Sequence, residues 1–324
     1  MKLITNDLNI DQIMATWLAA NSYTGTKEGK CISATTLLKS PQQQILQLRA
    51  QNDENIVQVT DISTLLKSRI GTAIHADIQQ CWENPQLRIP ALQALGIPNE
   101  LIAKIDVNPA IPNEEHVNLY FEQRAEKEFM GWTVTGQFDL VVDNSLHDFK
   151  STSTYTYINK TKEQDYIEQG SIYRWLNPEL IKDDFLTIHY IFTDWNKNYV
   201  HSREGYPPHP FVSIKLPLMS IQKTESMIRN RLNIIEFNKD KENLPPCDSH
   251  TLMQEDIWQY FSSAASLRSG KNFDNLADAN KYLVQKGTGF IKKKATEPKG
   301  CSYCNCRGIC KQYAAFVAQG LIKE

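Results

Sequence analysis

The chain has 324 residues with 35 Lys and Arg against 37 Asp and Glu, a formal net charge of −2, which argues against a globally basic nucleic-acid coat but leaves room for an enzyme with a local basic groove. That length suits one large domain or two small ones. No run of about 18 apolar residues occurs, so no membrane span is expected, and the segment MKLITNDLNIDQIMATWLAA lacks a basic stretch ahead of an apolar one, so no secretory signal and a cytoplasmic location are expected.

Residues 6–21 read as a helix started by Asn6 or Asp7. SATTLLKSPQQQILQLRAQN reads as a second helix, with Ser33 as a cap and Pro41 kinking or restarting it. In DISTLLKSRIGTAIHADIQQCWE, Leu65, Leu66, Ile70, Ile74 and Ile78 recur near helical spacing, and Gly71-Thr72 allows close packing against a neighbour. NEEHVNLYFEQRAEKEFMGWTVTG reads as strand with charged alternation.

The next segment, GQFDLVVDNSLHDFKST, alternates with period two on both sides of Asp143-Asn144-Ser145, which predicts a β-hairpin. A loop over 143–146 pairs Val142 with His147 and sets Asp139 opposite Lys150. Asp139, Asp148 and Lys150 then crowd one face, while Phe138, Leu140 and Phe149 face a core. Such a face is either a solvated surface with a weak cross-strand ion pair or a site for Mg²⁺ or Mn²⁺, whose water or phosphate the lysine would serve.

TKEQDYIEQGSIYRWLN is a predicted helix stopped by Pro178, FLTIHYIFTDW an apolar strand, REGYPPHP a loop and VSIKLPL a short strand. Residues 220–240 read as a polar helix with Ile221, Met227, Leu232 and Ile235 on one side, ENLPPCDSH as a linker, and QEDIWQYF and NLADANKYLVQK as two more helices. Helices, then a sheet with helices packed on it, then a helical cysteine-bearing tail predict an α/β (α+β) architecture, a central mixed β-sheet flanked by helices.

Further side chains have two readings each. His75 is a core histidine or an extra metal ligand. Gln169 and Tyr173, spaced i, i+4, form a half-polar packing face or hold a phosphate or the lysine in register. The run CSYCNCRGIC places Cys301, Cys304 and Cys310 in a C-x2-C-x5-C pattern with Cys306 as an extra. That points to zinc or an iron–sulfur cluster, because clustered thiolates in a reducing compartment favour metal over disulfides. Lys292, Lys293, Lys294 and Lys299 just ahead form a solvated loop or a phosphate-contact patch.

Taken together, these pieces resemble the PD-(D/E)XK nuclease superfamily, and within it the RecB-like exonucleases, including the AddB nuclease domain, CRISPR-associated exonucleases with a cysteine cluster and phage-encoded relatives. GTAIH is similar to the family's histidine motif, GQFD to its G-x-x-D strand, DFK to its D/E-x-K position and QGSIY to its Q-x3-Y helix, in the family's order. The resemblance implies a restriction-endonuclease-like core in a single domain over 1–324, with an N-terminal helical part (1–60), a catalytic core (61–218) and a helical, cysteine-bearing part (219–324).

It also implies a Mg²⁺- or Mn²⁺-dependent DNA nuclease, an exonuclease or else an endonuclease, in replication, recombination or repair. Such an enzyme would work on ends or single strands, with a helicase or recombination partner, in a bacterial or phage-infected cell. A non-catalytic DNA-binding module with the same fold is the rival. His75, Asp139, Asp148 and the Phe149 carbonyl would bind the metal, Lys150 would assist attack by water, and Gln169 and Tyr173 would orient the lysine or a phosphate. The cysteine-bearing relatives hold a [4Fe–4S] cluster with a fourth cysteine from the N-terminal part. Here Ser40 stands in that place, so Cys31 or Cys306 is expected to substitute, with zinc as the alternative metal.

Overall fold

Short polar side chains start the helices. The computed structural model describes residues 2–20, 29–53, 58–247, 257–273, 275–294 and 298–322. After strand β1 (Lys2–Thr5), Asp11 accepts the Ile13 N–H and opens α1 (Gln12–Ala19), later than the expected start at residue 6. Ser33 closes β2 (Cys31–Ser33) and caps α2 (Ala34–Leu37). Ser40 then caps α3 (Pro41–Asn52), where Pro41 occupies the first turn and so restarts the helix rather than kinking it. β3 (Gln58–Asp61) ends on Asp61, which caps a 3₁₀ turn over Ile62–Leu65 leading into α4 (Leu66–Glu83).

Next come α5 (Pro85–Ala94), α6 (Asn99–Ile102), β4 (Ile105–Val107), β5 (Val117–Phe121), β6 (Arg124–Phe129), β7 (Trp132–Gln137), β8 (Leu140–Val142) and β9 (Ser145–Thr152). α7 (Thr154–Ile158), α8 (Glu163–Leu176), β10 (Phe185–Phe192), β11 (Phe211–Pro217) and α9 (Ile221–Asn238) follow. The C-terminal elements are β12 (Ile257–Phe261), β13 (Lys271–Phe273), α10 (Leu276–Lys286), β14 (Phe290–Lys294), α11 (Lys299–Ser302) and α12 (Lys311–Ala318). Ile257–Phe261 is a strand and not the expected helix, since Ile-Trp-Gln-Tyr-Phe is rich in the β-branched and aromatic residues that fit a pleated surface.

The chain forms two compact units, one within residues 6–39 and 61–236, the other within 1–5, 40–60 and 237–324. α3 belongs with the C-terminal segment: Arg49 donates to the carbonyls of Lys239 and Lys241.

The first unit is a mixed α/β layer structure. Its central sheet has the order β11–β10–β9–β8–β5–β4, with β9/β10 and β4/β5 parallel and the other neighbours antiparallel. A smaller sheet, β2–β7–β6, lies in the same unit. α8 links β9 to parallel β10, as a parallel crossover requires, and buries the whole stretch Gly170–Leu176. A Cβ on Gly170 would come 2.9 Å from Leu186 Cδ2, so this glycine permits the close approach of helix to sheet. On the opposite face, Ile78 and Trp82 of α4 pack on Leu119, Phe121 and Leu140.

In the second unit, β13–β12–β14 is an antiparallel sheet. Cys247, Cys301 and Ile322 form a small core against Tyr313, Phe316 and Val317 of the C-terminal helix region. No described helix is long and apolar enough to cross a membrane.

Candidate functional site

The hairpin is tighter than expected. Leu140 pairs with His147, Val141 with Leu146 and Val142 with Ser145, leaving a two-residue turn at Asp143 (φ 44°) and Asn144 (φ 75°). Asx side chains tolerate this left-handed backbone, which matches the twist of the two strands. The strand expected from Gly136 to Val142 is also broken. β7 ends at Gln137 in the small sheet and β8 begins at Leu140 in the central one, with the fully buried Phe138 and the partly buried Asp139 between them. Asp139 therefore sits at a bend and takes no place opposite Lys150. Its Oδ2 accepts the Phe149 N–H at 2.8 Å, and its carbonyl accepts the Glu122 N–H at 3.0 Å.

That second bond brings in a residue the sequence reading missed. Glu122 follows β5 with a left-handed φ of 50°, and its Oε2 accepts from Gln137 Nε2 at 2.7 Å. His75, from α4, donates from Nε2 to the Phe149 carbonyl at 2.9 Å. Its Nδ1 then faces Glu122 Oε1 at 3.7 Å and Asp139 Oδ1 at 3.6 Å. Ligand atoms of His75, Glu122 and Asp139 lie within 4.8 Å of one another, a set that could hold a metal ion. One imidazole nitrogen and two carboxylates suit a hard divalent cation.

Asp148 and Lys150 stand next to this group. Asp148 is buried, and Lys150 Nζ lies 2.7 Å from its Oδ2. Lys150 also reaches Gln169 Oε1 at 3.4 Å and lies 5.2 Å from the Tyr166 ring centroid. Gln169 Nε2 donates to Tyr173 Oη at 2.8 Å. The structure thus brings His75, Asp139, Asp148, Lys150, Gln169 and Tyr173 together, while the Phe149 carbonyl is taken by His75.

The electrostatics favour a cation. Burial first, then the charge of Asp148, pushes Asp139 up to about 7 against His75, Lys150 and the Phe149 N–H. Burial opposes the charged form of His75, but the Glu122 carboxylate, Asp139, the Phe149 carbonyl and Asp148 outweigh it and push it up to about 9. Burial likewise opposes charge on Lys150, and Asp148 and Asp139 overcome it, so its pKa is raised. Burial and the two aspartates hold Tyr173 well above its usual range, as a neutral phenol.

The second unit contains a thiol centre. Cys247, Cys301, Cys304 and Cys310 line one small cavity with Gln42, Gln43 and Tyr313. Gln42 Nε2 points at Cys310 Sγ (3.4 Å), Gln43 Nε2 at Cys304 Sγ (3.6 Å) and the Tyr313 N–H at Cys310 Sγ (3.4 Å). Burial, then the nearby Cys310, Cys247 and Cys304 thiols, pushes Cys301 up to about 11, and burial raises Cys247. Crowded thiols facing N–H donors fit a metal that would hold them as thiolates.

Cys247 came from the expected linker. Its sulfur lies 2.9 Å from Ser40 Oγ. Cys306 is not brought into the cavity; its Sγ faces the Gln43 carbonyl at 3.8 Å. Cys31 lies in β2 of the other unit, paired with Thr133. The sequence marks it only as one of three cysteines beyond the cluster, the one following Pro245-Pro246.

No family model matches the chain, and no curated protein matches it. Among solved structures it is similar to the crystal structure of SSO0001, at 13% identity over 65% of this chain and 79% of that one, with a TM-score of 0.38. It is also similar to a phage-related exonuclease from Haemophilus somnus 129PT, at 18% identity over 38% of this chain and 60% of that one, with a TM-score of 0.26. Similarity of this extent carries no statement about activity.

Proposed function

We propose that the chain is a divalent-metal-dependent DNA nuclease that hydrolyses phosphodiester bonds, acting as an exonuclease on ends or single strands. The observation that carries this reading is the juxtaposition of a metal-competent His75–Glu122–Asp139 group with the buried Asp148–Lys150 pair. His75 Nδ1, Glu122 and Asp139 would hold Mg²⁺ or Mn²⁺, with Asp148 adding negative charge beside them. A cation there supplies Lewis-acid polarisation of the phosphoryl group.

The chain's own residues supply orientation and charge. The Phe149 carbonyl fixes the His75 tautomer so that Nδ1 faces the carboxylates. Lys150 keeps its proton, because its pKa is raised. As an ammonium it would stabilise charge developing on a phosphoryl oxygen. Asp148 aims the ammonium, and the Gln169–Tyr173 pair holds it from the other side.

In the second unit, Cys247, Cys301, Cys304 and Cys310 would bind a [4Fe–4S] cluster. Its role is structural, tying α3 to the C-terminal segment inside that unit.

The test is cleavage of end-labelled linear DNA, and of circular single-stranded DNA, by anaerobically purified protein with Mg²⁺ or Mn²⁺. Metal-dependent loss of the linear substrate, abolished by Lys150→Ala, supports the reading. Intact linear DNA with metal-loaded wild type overturns it, and cleaved circles make the enzyme an endonuclease.

A further inference from the structure

The sheet β13–β12–β14 has two unlike faces. Trp258, Tyr260 and Phe273 alternate onto the face that carries α10, where the Tyr282 ring meets Tyr260 edge-on at 5.1 Å and Phe273 at 5.3 Å. By the period of two, the other face presents Gln259, Phe261, Asn272, Phe290, Lys292 and Lys294. Phe261 and Phe290 are paired in register across the strands, with rings stacked at 5.3 Å and 13°, and Phe290 is 39% exposed. Phe290, Lys292 and Lys294 follow one another along β14 at about 7 Å steps. Beside them, the Gln259 amide reaches Ser269 Oγ and Asn272 Oδ1, each at 3.3 Å. The three strands contain Lys271, Lys292, Lys293 and Lys294 and no Asp or Glu. The side chain of Lys299, the fourth lysine of the sequence patch, lies outside the described residues.

We propose that this face is a platform for single-stranded nucleic acid. A stacked aromatic pair with one exposed ring can receive an unpaired base by stacking, which a duplex hides within its own stack. A row of lysines without intervening acids suits the phosphates that follow. Phe290 and Phe261 take the base, Lys292 and Lys294 take phosphates, and the Gln259 and Asn272 amides border the path. The platform belongs to the second unit and is independent of the proposed hydrolytic site, so it operates whether or not that site cleaves DNA.

The test is fluorescence anisotropy of a labelled oligo-dT of about 15 nucleotides with the full, anaerobically purified chain, in EDTA and over a salt series. Phe290→Ala is expected to weaken binding about 10-fold. The double substitution Lys292→Glu with Lys294→Glu is expected to weaken it further and to flatten the slope of log affinity against log salt by about 1–2. No binding by the wild type overturns the proposal. So does a Phe290→Ala protein that melts like the wild type and binds within twofold of it, because a face that needs only its lysines is a general polyanion patch. If Phe290→Ala fails to fold, the lysine substitutions decide: an unchanged affinity and slope overturns the proposal.

Discussion

Lys150 Nζ lies 2.7 Å from Asp148 Oδ2, two residues back on the same face of β9, with the Asp148 side chain 6% exposed. A buried ion pair of this kind loses more from removal of one partner than its net contribution suggests, because the other charge is stranded. Lys150→Ala is therefore expected to lower the cleavage rate about 10²–10³-fold and also to destabilise the protein by about 3–5 kcal/mol. Lys150→Met keeps the aliphatic stem and separates packing from charge, with the same loss of rate. Single-turnover cleavage beside urea unfolding reads both effects. A lysine variant with full rate would remove Lys150 from the chemistry.

Glu122→Gln is expected to weaken Mn²⁺ binding by at least about 10-fold, the scale on which residues around a metal site act. It also removes the carboxylate that does most to keep His75 charged, so the His75 pKa falls. Calorimetric Mn²⁺ titration and the imidazole NMR shift of His75 measure the two. Unchanged affinity would leave Asp139 and Asp148 as the ligand carboxylates.

In the absence of metal, stability is expected to fall as pH rises above about 6.5. Asp139 is raised from 3.8 to about 7 and His75 from 6.5 to about 9. Both bind a proton more tightly when folded, so the stability they give is fully present at low pH. It is lost as pH rises from about 4 to 7 for Asp139 and from about 6.5 to 9 for His75. His147 acts in the opposite sense. Burial, then His189 and Lys215, hold it down to about 4, so stability is lost as pH falls from 6.5 towards 4. A divalent cation displaces the protons on Asp139 and His75, so the Mn²⁺-induced rise in melting temperature should grow between about pH 6 and pH 8.5. A metal shift of equal size at both pH values would contradict the assignment of these two ligands.

Local chemistry carried much of this structure in the sequence. Ser33, Ser40 and Asp61 each start a helical segment, and the period-two alternation around Asp143-Asn144 marks a hairpin. The register slipped by two because a pair of Asx residues can turn the chain in two residues where four were expected. The break at Phe138-Asp139 was hidden because both flanking segments alternate, and alternation does not say which sheet a strand joins. Glu122 has no spacing relation to Asp139; the ends of β5 and β8 bring them together. Helix spacing placed Gln169 and Tyr173 on one face, but the lysine they hold comes from another element.

The same distinction between local and long-range signals governs the cysteine centre. Three of its thiols lie within ten residues, and the fourth, Cys247, is held against Ser40 and by Gln42 and Gln312, which both accept its backbone N–H. Cys247→Ser is expected to reduce bound iron from about four per chain and to lower the melting temperature of the second unit, because the centre closes a long loop onto α3. Cys31→Ser, in β2, is expected to keep full iron content, and Cys306→Ser to keep it with a small loss of stability from a buried site. Iron and zinc analysis of anaerobically purified variants, with near-UV and visible spectra, measures this. Full iron content in Cys247→Ser, or its loss in Cys306→Ser at unchanged folding, would transfer the fourth ligand to Cys306 and make the centre local to the C-terminal segment.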